Sequence, residues 1–521
     1  MERKNVYICM LAALLSCSDS VKVSRTLDAM PAIFPDYNGV VIPPNMAPLN
    51  FALDDQDAGS RAVFSFGGQQ FEVKGEKGSI VIPPSKWKNL LESAAGDSIQ
   101  VTVQVKQGNE WVAYSPFTIR VAPEKVDSYL AYRLIDPGYE LWNKMGIYQR
   151  DLESYTQIPI IENKMSGNNC VNCHSFCMQD PNKMLFHMRE TFPGTILVDG
   201  DKIEKLNTKT KETISPLVYP SWHPSGKYVA FSVNTTKQAF HLNDRNRVEV
   251  YDETSDVVVY DVEKHEIVTA SNIFSKDAFE TFPTFSPDGK TLYFCTAEAR
   301  PIPQEYSEVK YNLCSVSFDP VTRAFGAQVD TLYNAKSGGM SASFPRVSPD
   351  GRYLLYTLSG YGNFSIWHKD ADLYMADLQT GTSRPLVEVN SDDVESYHSW
   401  SSNSRWFVFS SRRIDGLYTR PYIAYVDEDG KVGKPFLLPQ KDAGFYQSFM
   451  KSFNIPEFIT GKVKVRGRVL AIKAKEDKGT DVRLAQQYGW IERKEMVVYQ
   501  KSCNPFLIHH HNNRQFLFME E

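Results

Sequence analysis

Short runs in which apolar and polar positions alternate fill most of the chain. Ala62-Val-Phe-Ser-Phe66 and Ile99-Gln-Val-Thr-Val-Gln-Val105 place every second side chain on one face, as a half-buried strand requires. Gly67-Gly68, Pro83-Pro84 and Gly108-Asn109 punctuate these runs as turns. The spacing predicts a small β-sandwich over residues 31–125, of immunoglobulin-like size.

Beyond that region the alternation becomes periodic on a larger scale. The segment from Pro220 to Ser232 (PSWHPSGKYVAFS) returns as Pro283 to Cys295 (PTFSPDGKTLYFC) and as Pro345 to Thr357 (PRVSPDGRYLLYT). A fourth copy runs from His398 to Ser410 (HSWSSNSRWFVFS), and the starts lie 63, 62 and 53 residues apart. That is about the length of one four-stranded propeller blade with variable loops. In each copy an aromatic or valine (Trp222, Phe285, Val347, Trp400) precedes a tight turn and an alternating strand. A further strand follows each, as in Val257–Val262, Leu373–Leu378 and Tyr422–Asp427, with weaker members at Leu313–Asp319, Thr195–Asp199 and Met145–Arg150. Six such strands predict an all-β chain with a six-bladed propeller whose last blade uses both chain ends, which removes free sheet edges.

Ser-Pro-Asp-Gly-Lys before an aromatic strand resembles the TolB-like, WD-type propeller repeat, over about residues 130 to 460. The resemblance implies a fold and no single activity, since that family includes peptide-binding and scaffolding modules as well as propellers joined to hydrolases. Gly339-Met-Ser-Ala-Ser343 lacks the last glycine of a nucleophile elbow, and neither a phosphate-binding loop nor a His-Glu-x-x-His helix occurs. Enzymatic activity is therefore not an expectation of the sequence.

The chain ends extend this layout. Arg3 and Lys4, the apolar stretch Val6–Leu15, and Ser16 before Cys17 resemble a bacterial lipoprotein signal, which implies cleavage and acylation at Cys17. The expected organisation is a signal over 1–16, a tether over 17–30, the β domain over 31–125, the propeller over 126–460 and a basic extension over 461–521. Localisation at the cell envelope through a lipid anchor follows, with a membrane and a protein partner. Lys+Arg 57 against Asp+Glu 62 leaves no basic field, so nucleic acid is not an expected partner.

Export changes the reading of the cysteines. Cys170-Val-Asn-Cys173-His174 has the spacing of covalent c-type haem attachment, in which two thiols hold the macrocycle and the histidine ligates its iron. Met165, Met178, Met184, His187 and Met188 are the nearby candidates for a second axial ligand; Met178 is too close to His174 in sequence to reach the opposite face of the ring, and strand alternation leaves Met184 or His187 as the expected one. The same residues admit a Cys170–Cys173 disulfide, with Cys177 left over, or a zinc site with His174. Cys295, Cys314 and Cys503 complete the exported set. His223, His241 and His398 near the predicted propeller mouth, and His509–His511, are additional polar candidates.

With its β domain, repeats and Asn-Cys-Val-Asn-Cys-His-Ser-Phe motif, the chain is similar to a group of exported lipoproteins of Bacteroidetes. Asp97-Ser98-Ile99 and Asp330-Thr331-Leu332 resemble the O-glycosylation sequon of that phylum. Two functions stay open at this point: a haem c protein for electron transfer or redox sensing, and a protein- or glycan-binding scaffold held by a disulfide.

Overall fold

The computed structural model describes residues 22–54, 59–136, 144–485, 507–511 and 514–519. Strands hold 49% of the described residues and helices 9%, so the protein is mostly β and built of many sheets. The first region pairs Ser60–Phe66 with Ser98–Gln107 at the centre of a seven-stranded sheet, and a three-stranded sheet joins Ile33–Phe34, Phe51–Leu53 and Ser79–Ile80. Ala62, Phe64, Ile99, Val101 and Val103 are fully buried while Ser98 and Gln100 face solvent, as the alternation requires. A helix over Pro84–Ser93 stands where the sequence reads as a turn. Proline is at home in a first helical turn, where its missing N–H has no partner to lose. Trp87, Leu90 and Leu91, three and four residues apart, then fall on one buried face, and the Trp87 indole donates to the Met46 carbonyl at 3.0 Å.

From Tyr129 onward the described residues make six antiparallel sheets of four principal strands each. The leading strands of the second to sixth are Cys170–Phe176, Leu217–Trp222, Ala278–Phe285, Ser341–Val347 and Glu395–Trp400. Each continues through three further strands in sequence order. The first sheet differs: its leading strand, Ser452–Ile459, arrives from the far end of the chain and pairs antiparallel with Tyr129–Ile135. The six leading strands pack on one another in order, and Ser452–Ile459 touches both Glu395–Trp400 and Cys170–Phe176. The six strands singled out as following the repeats are each the third strand of a sheet.

The repeated turns are built alike. Ser286 Oγ donates to Asp288 Oδ1 at 2.5 Å and accepts from the Thr291 amide at 3.0 Å, and Ser348 and Ser401 repeat both bonds with Asp350 and Asn403. In the Pro220 copy His223 takes the serine's place and bonds Ser225 at 2.7 Å, so His223 serves the turn. Gly289 closes its turn at φ +72°, where an added Cβ would stand 2.1 Å from His223 Nε2.

One core is continuous from Tyr37, Phe64 and Trp87 in the first region to Trp406, Phe409 and Phe458 in the sheets, so the two regions are packed together. The basic segment after Pro456 runs along the outside. A helix over Gly467–Ala474 packs on the first two sheets, and the Lys205 ammonium donates to its last carbonyl, Ala474, at 2.9 Å and to the Glu476 carbonyl just beyond it at 2.8 Å. Thr480–Asp481 and Arg483–Leu484 add parallel to the outer strands of the second and third sheets, covering open edges. The strands Leu507–His511 and Arg514–Met519 extend the third sheet further. No helix among the described residues is long and apolar enough to cross a membrane. Cys9, Cys17 and Cys503 lie outside the described residues.

Candidate functional site

Each leading strand carries one non-glycine residue in the left-handed region: Cys173, Tyr219, Phe282, Phe344, Tyr397 and Ile455, all with φ between 49° and 51°. At each of these positions the pairing with the neighbouring strand shifts register, so the residue is turned out of the ladder. Phe282 stacks on Phe344 with centroids 3.9 Å apart, Tyr219 meets Phe282 at 4.9 Å and Tyr397 meets Phe344 at 4.8 Å. These side chains form an apolar layer between the strands, with the Cys173 thiol within electrostatic reach of both tyrosine hydroxyls.

The residues after the turned-out position read His174-Ser-Phe, Pro220-Ser-Trp, Pro283-Thr-Phe, Pro345-Arg-Val, His398-Ser-Trp and Pro456-Glu-Phe. All of these but Pro283, Pro345 and Phe458 line one cavity of about 150 Å³, for which the apolar layer is the floor and Trp222, Phe285, Val347 and Trp400 are walls. Four of the six equivalent positions carry a hydroxyl (Ser175, Ser221, Thr284, Ser399), one a guanidinium (Arg346) and one a carboxyl (Glu457). At the preceding position four prolines are joined by His174 and His398. The departures fall together, because His174, Glu457, His398 and Arg346 stand on neighbouring strands of the second, first, sixth and fifth sheets.

Electrostatics at this cluster are set by burial. Glu457 Oε1 accepts the Phe176 amide at 3.0 Å, yet burial raises its carboxyl to about 8, against which the Phe176 bond and the Arg346 charge act only in part. The group is therefore mostly protonated at neutral pH and is a donor. Burial lowers His174 to about 3, aided by the Arg133 charge, and lowers His398 to about 3, aided by Arg346. Both imidazoles are neutral, and neither ring of His174 or His398 has a hydrogen-bond partner of normal geometry. Gln179 Nε2 donates to the Trp400 carbonyl at 3.3 Å while its Oε1 is buried without a donor.

Cys170 begins the strand opposite Arg189, Cys173 enters the apolar layer, and His174 lines the cavity, whose lining does not include Cys170. A c-type macrocycle needs both thiols and the imidazole on one space of at least drug-ligand size, roughly 300 Å³. In this arrangement the three residues do not meet on such a space. Met184 is fully buried in the core between the first two sheets, and His187 Nδ1 lies 3.2 Å from the Thr195 hydroxyl. Neither of these two lines the cavity, whereas Met178 does. The expected Cys170–Cys173 disulfide is corrected: no disulfide joins any of Cys170, Cys173, Cys177, Cys295 and Cys314 among the described residues, and the left-handed turn at Cys173 takes it out of the ladder that holds Cys170. No group of three or more metal-ligating side chains occurs among the described residues, so His174 and the cysteines do not build a zinc site there. His241 packs near Tyr306, apart from the cavity.

Arg346 and Glu457 escaped the sequence reading, although Arg346 stands inside a repeat copy. The signal for both is departure from a small hydroxyl at one repeat position, visible only once all six copies are aligned.

No family model and no curated protein matches the chain. Solved structures do show partial likeness. A DUF4784 family protein from Bacteroides caccae is 6% identical, with 69% of this chain and 96% of that chain covered at a TM-score of 0.30. Porphyromonas gingivalis dipeptidyl peptidase 4 is 11% identical, covering 61% and 53% at 0.28, and an ancestral GH74 enzyme is 11% identical, covering 79% and 48% at 0.33. This chain thus spans about half the length of the latter two.

Proposed function

We propose that the protein is a lipid-anchored, exported binding protein, acylated at Cys17, whose six sheets form a six-bladed propeller behind a β-sandwich and whose axial pocket takes one sugar unit at a glycan end. The observation that carries this reading is the convergence of Arg346, Glu457, His174 and His398 on one side of a cavity otherwise ringed by hydroxyls. Trp222, Phe285 and Trp400 offer aromatic walls to a sugar ring. Protonated Glu457, the hydroxyls and Arg346 are donors, so an acidic sugar whose carboxylate meets the guanidinium is the best match. The cavity volume suits one monomer rather than an oligomer. Thermal-shift titration of the exported domain with glucuronate, galacturonate, glucose and galactose tests this. A saturable response to uronates that Arg346→Gln abolishes supports it; equal, flat responses to all four sugars would remove it.

A second reading keeps covalent haem c at Cys170 and Cys173 with His174 as proximal ligand, for electron transfer or redox sensing. It is favoured by the Cys-x-x-Cys-His spacing and by the neutral, unpartnered His174 imidazole. Bound haem supplies one-electron chemistry; in the present arrangement the strand would have to leave its pairing with Lys183–Arg189 to bring both thiols to one face. An absorbance spectrum of protein made with haem-maturation machinery, with the mass of the Cys170–Cys173 peptide, decides it: a c-type α band and a haem-sized increment support haem, and colourless protein with unmodified thiols rejects it.

A further inference from the structure

The stretch from Lys462 to Lys478 presents one face to solvent by two successive periodicities. Its first part is extended, and there side chains alternate. Val463 is buried, its amide donating to Gln149 Oε1 at 2.8 Å and its carbonyl accepting from Gln149 Nε2 at 3.1 Å, while Lys462, Lys464 and Arg466 on either side are exposed. The Gly467–Ala474 helix then seats against Gln157–Glu162 and Lys202–Asn207, the outer strands of the first and second sheets. The contact is close: a Cβ on Gly467 would stand 2.6 Å from the Ile160 carbonyl oxygen, and Leu470 and Ala474 enter the core between those sheets. With that face fixed, helical spacing turns Arg468, Val469 and Ile472 outward.

Two properties of this face are uncompensated. Val469 and Ile472 are 44% and 60% exposed, the one pair of exposed large apolar side chains on a single helix or strand among the described residues. Around them Lys462, Lys464, Arg466, Arg468, Lys475 and Lys478 are exposed, and none has a side-chain hydrogen bond or ion pair among the described residues. The Glu476 carboxylate of the same stretch is taken by Lys473 at 2.9 Å. Residues 462–478 hold seven Lys and Arg against two acids, +5 within a chain whose net charge is -5. A face built for water alone mixes both signs and leaves no apolar centre.

We infer that this face is an interaction surface for an anionic phospholipid bilayer. A bilayer offers both matching chemistries in one plane, phosphates above an apolar layer. Val469 and Ile472 enter the boundary between headgroups and acyl chains, and the long cationic side chains around them reach the phosphates. The membrane itself comes from the proposed acylation at Cys17, so the inference rests on that reading. A contact besides the lipid fixes how the sheets stand on the membrane.

The test is co-sedimentation of the full chain with vesicles, using Cys17→Ser so that no acyl group contributes. Vesicles of phosphatidylglycerol with phosphatidylcholine should bind it saturably and release it as salt rises, and phosphatidylcholine alone should bind it at least about tenfold more weakly. Combined Lys464→Gln, Arg466→Gln and Arg468→Gln should cost at least about tenfold in apparent affinity, and combined Val469→Ser and Ile472→Ser at least about threefold. Combined Lys88→Gln, Lys106→Gln and Lys431→Gln remove the same charge from exposed positions elsewhere and should leave binding unchanged. If the first triple variant does not fold, Lys462→Gln, Lys475→Gln and Lys478→Gln together carry the same comparison. No binding, equal binding to both vesicles, or an equal loss in the control variant overturns the inference. So does a vesicle-free dimer that Ile472→Ser splits, which would assign the face to a second copy of the chain. Acylation is read separately, from the mass of the wild-type amino-terminal peptide: an unmodified Cys17 removes the anchor, and vesicle binding by the Cys17→Ser chain is decided independently of it.

Discussion

Replacing Glu457 by glutamine should make the protein more stable in alkali while leaving it unchanged in mild acid. In the folded state burial holds this carboxyl at about 8, above its ordinary 4.5. Unfolded chains have surrendered the proton by about pH 5, so between pH 5 and 8 the native state binds more protons and stability falls as pH rises. Above about 8 the native group ionises too and the cost stops growing. At 1.36 kcal/mol per pH unit the gap corresponds to about 5 kcal/mol. Cavity solvent and Arg346 screen the charge, so roughly 2–3 kcal/mol should reach the measured stability. Glutamine keeps an oxygen for the Phe176 amide and carries no charge. Urea unfolding followed by circular dichroism at pH 5 and pH 8.5 is the assay. The variant should match wild type at pH 5 and exceed it by about 2–3 kcal/mol at pH 8.5. Parallel pH profiles for the two proteins would refute the buried, protonated state of Glu457.

Other consequences are equally direct. His174 and His398 stay neutral in the fold down to about pH 3, whereas unfolded histidine takes a proton below about 6.5, so the fold loses stability as pH drops through that window. The double variant His174→Gln, His398→Gln should show a flatter loss from pH 6.5 to 4 in the same assay, and an unchanged slope counts against it. Arg420 is 1% exposed and donates to the carbonyls of Lys451 at 2.7 Å, Phe449 at 2.7 Å and Tyr446 at 3.1 Å, fixing the approach to the Ser452–Ile459 strand. Arg420→Met removes the donor from one buried and two part-buried carbonyls and should cost about 2–4 kcal/mol, with a loss below about 1 kcal/mol excluding that role. Cys170, Cys173, Cys177, Cys295 and Cys314 should resist a thiol reagent in the folded protein and all react in denaturant; five fast thiols, or a missing pair after unfolding, contradict the structure.

Much of the β architecture was legible because its determinants are local. The Ser-Pro-Asp-Gly turns declare themselves through serine and aspartate side chains that bond their own backbone, and the strands through alternation. The Pro84–Ser93 helix was hidden because a proline pair reads as a turn until the Trp87, Leu90 and Leu91 face finds its core. Ile455-Pro456-Glu457 was passed over as a repeat because no Ser-Pro-Asp-Gly turn follows it. The Cys-x-x-Cys-His spacing was plain, yet the left-handed turn at Cys173, which separates the two thiols, shows itself only beside the five equivalent positions that share it. The arrival of Arg346 and Glu457, 111 positions apart, in one cavity has no local signature at all. Polar residues that converge from different sheets become a site only after the ring of leading strands is assembled.

Trp222 and Trp400 both line the axial pocket, so their emission reports its occupancy. The most direct measurement of the central claim is a fluorescence titration of the protein with glucuronate, repeated with Arg346→Gln. A saturable change in wild-type emission that the variant lacks is the predicted result. Emission that glucuronate leaves unchanged in both proteins, under conditions where the fold is intact, would contradict an axial sugar pocket.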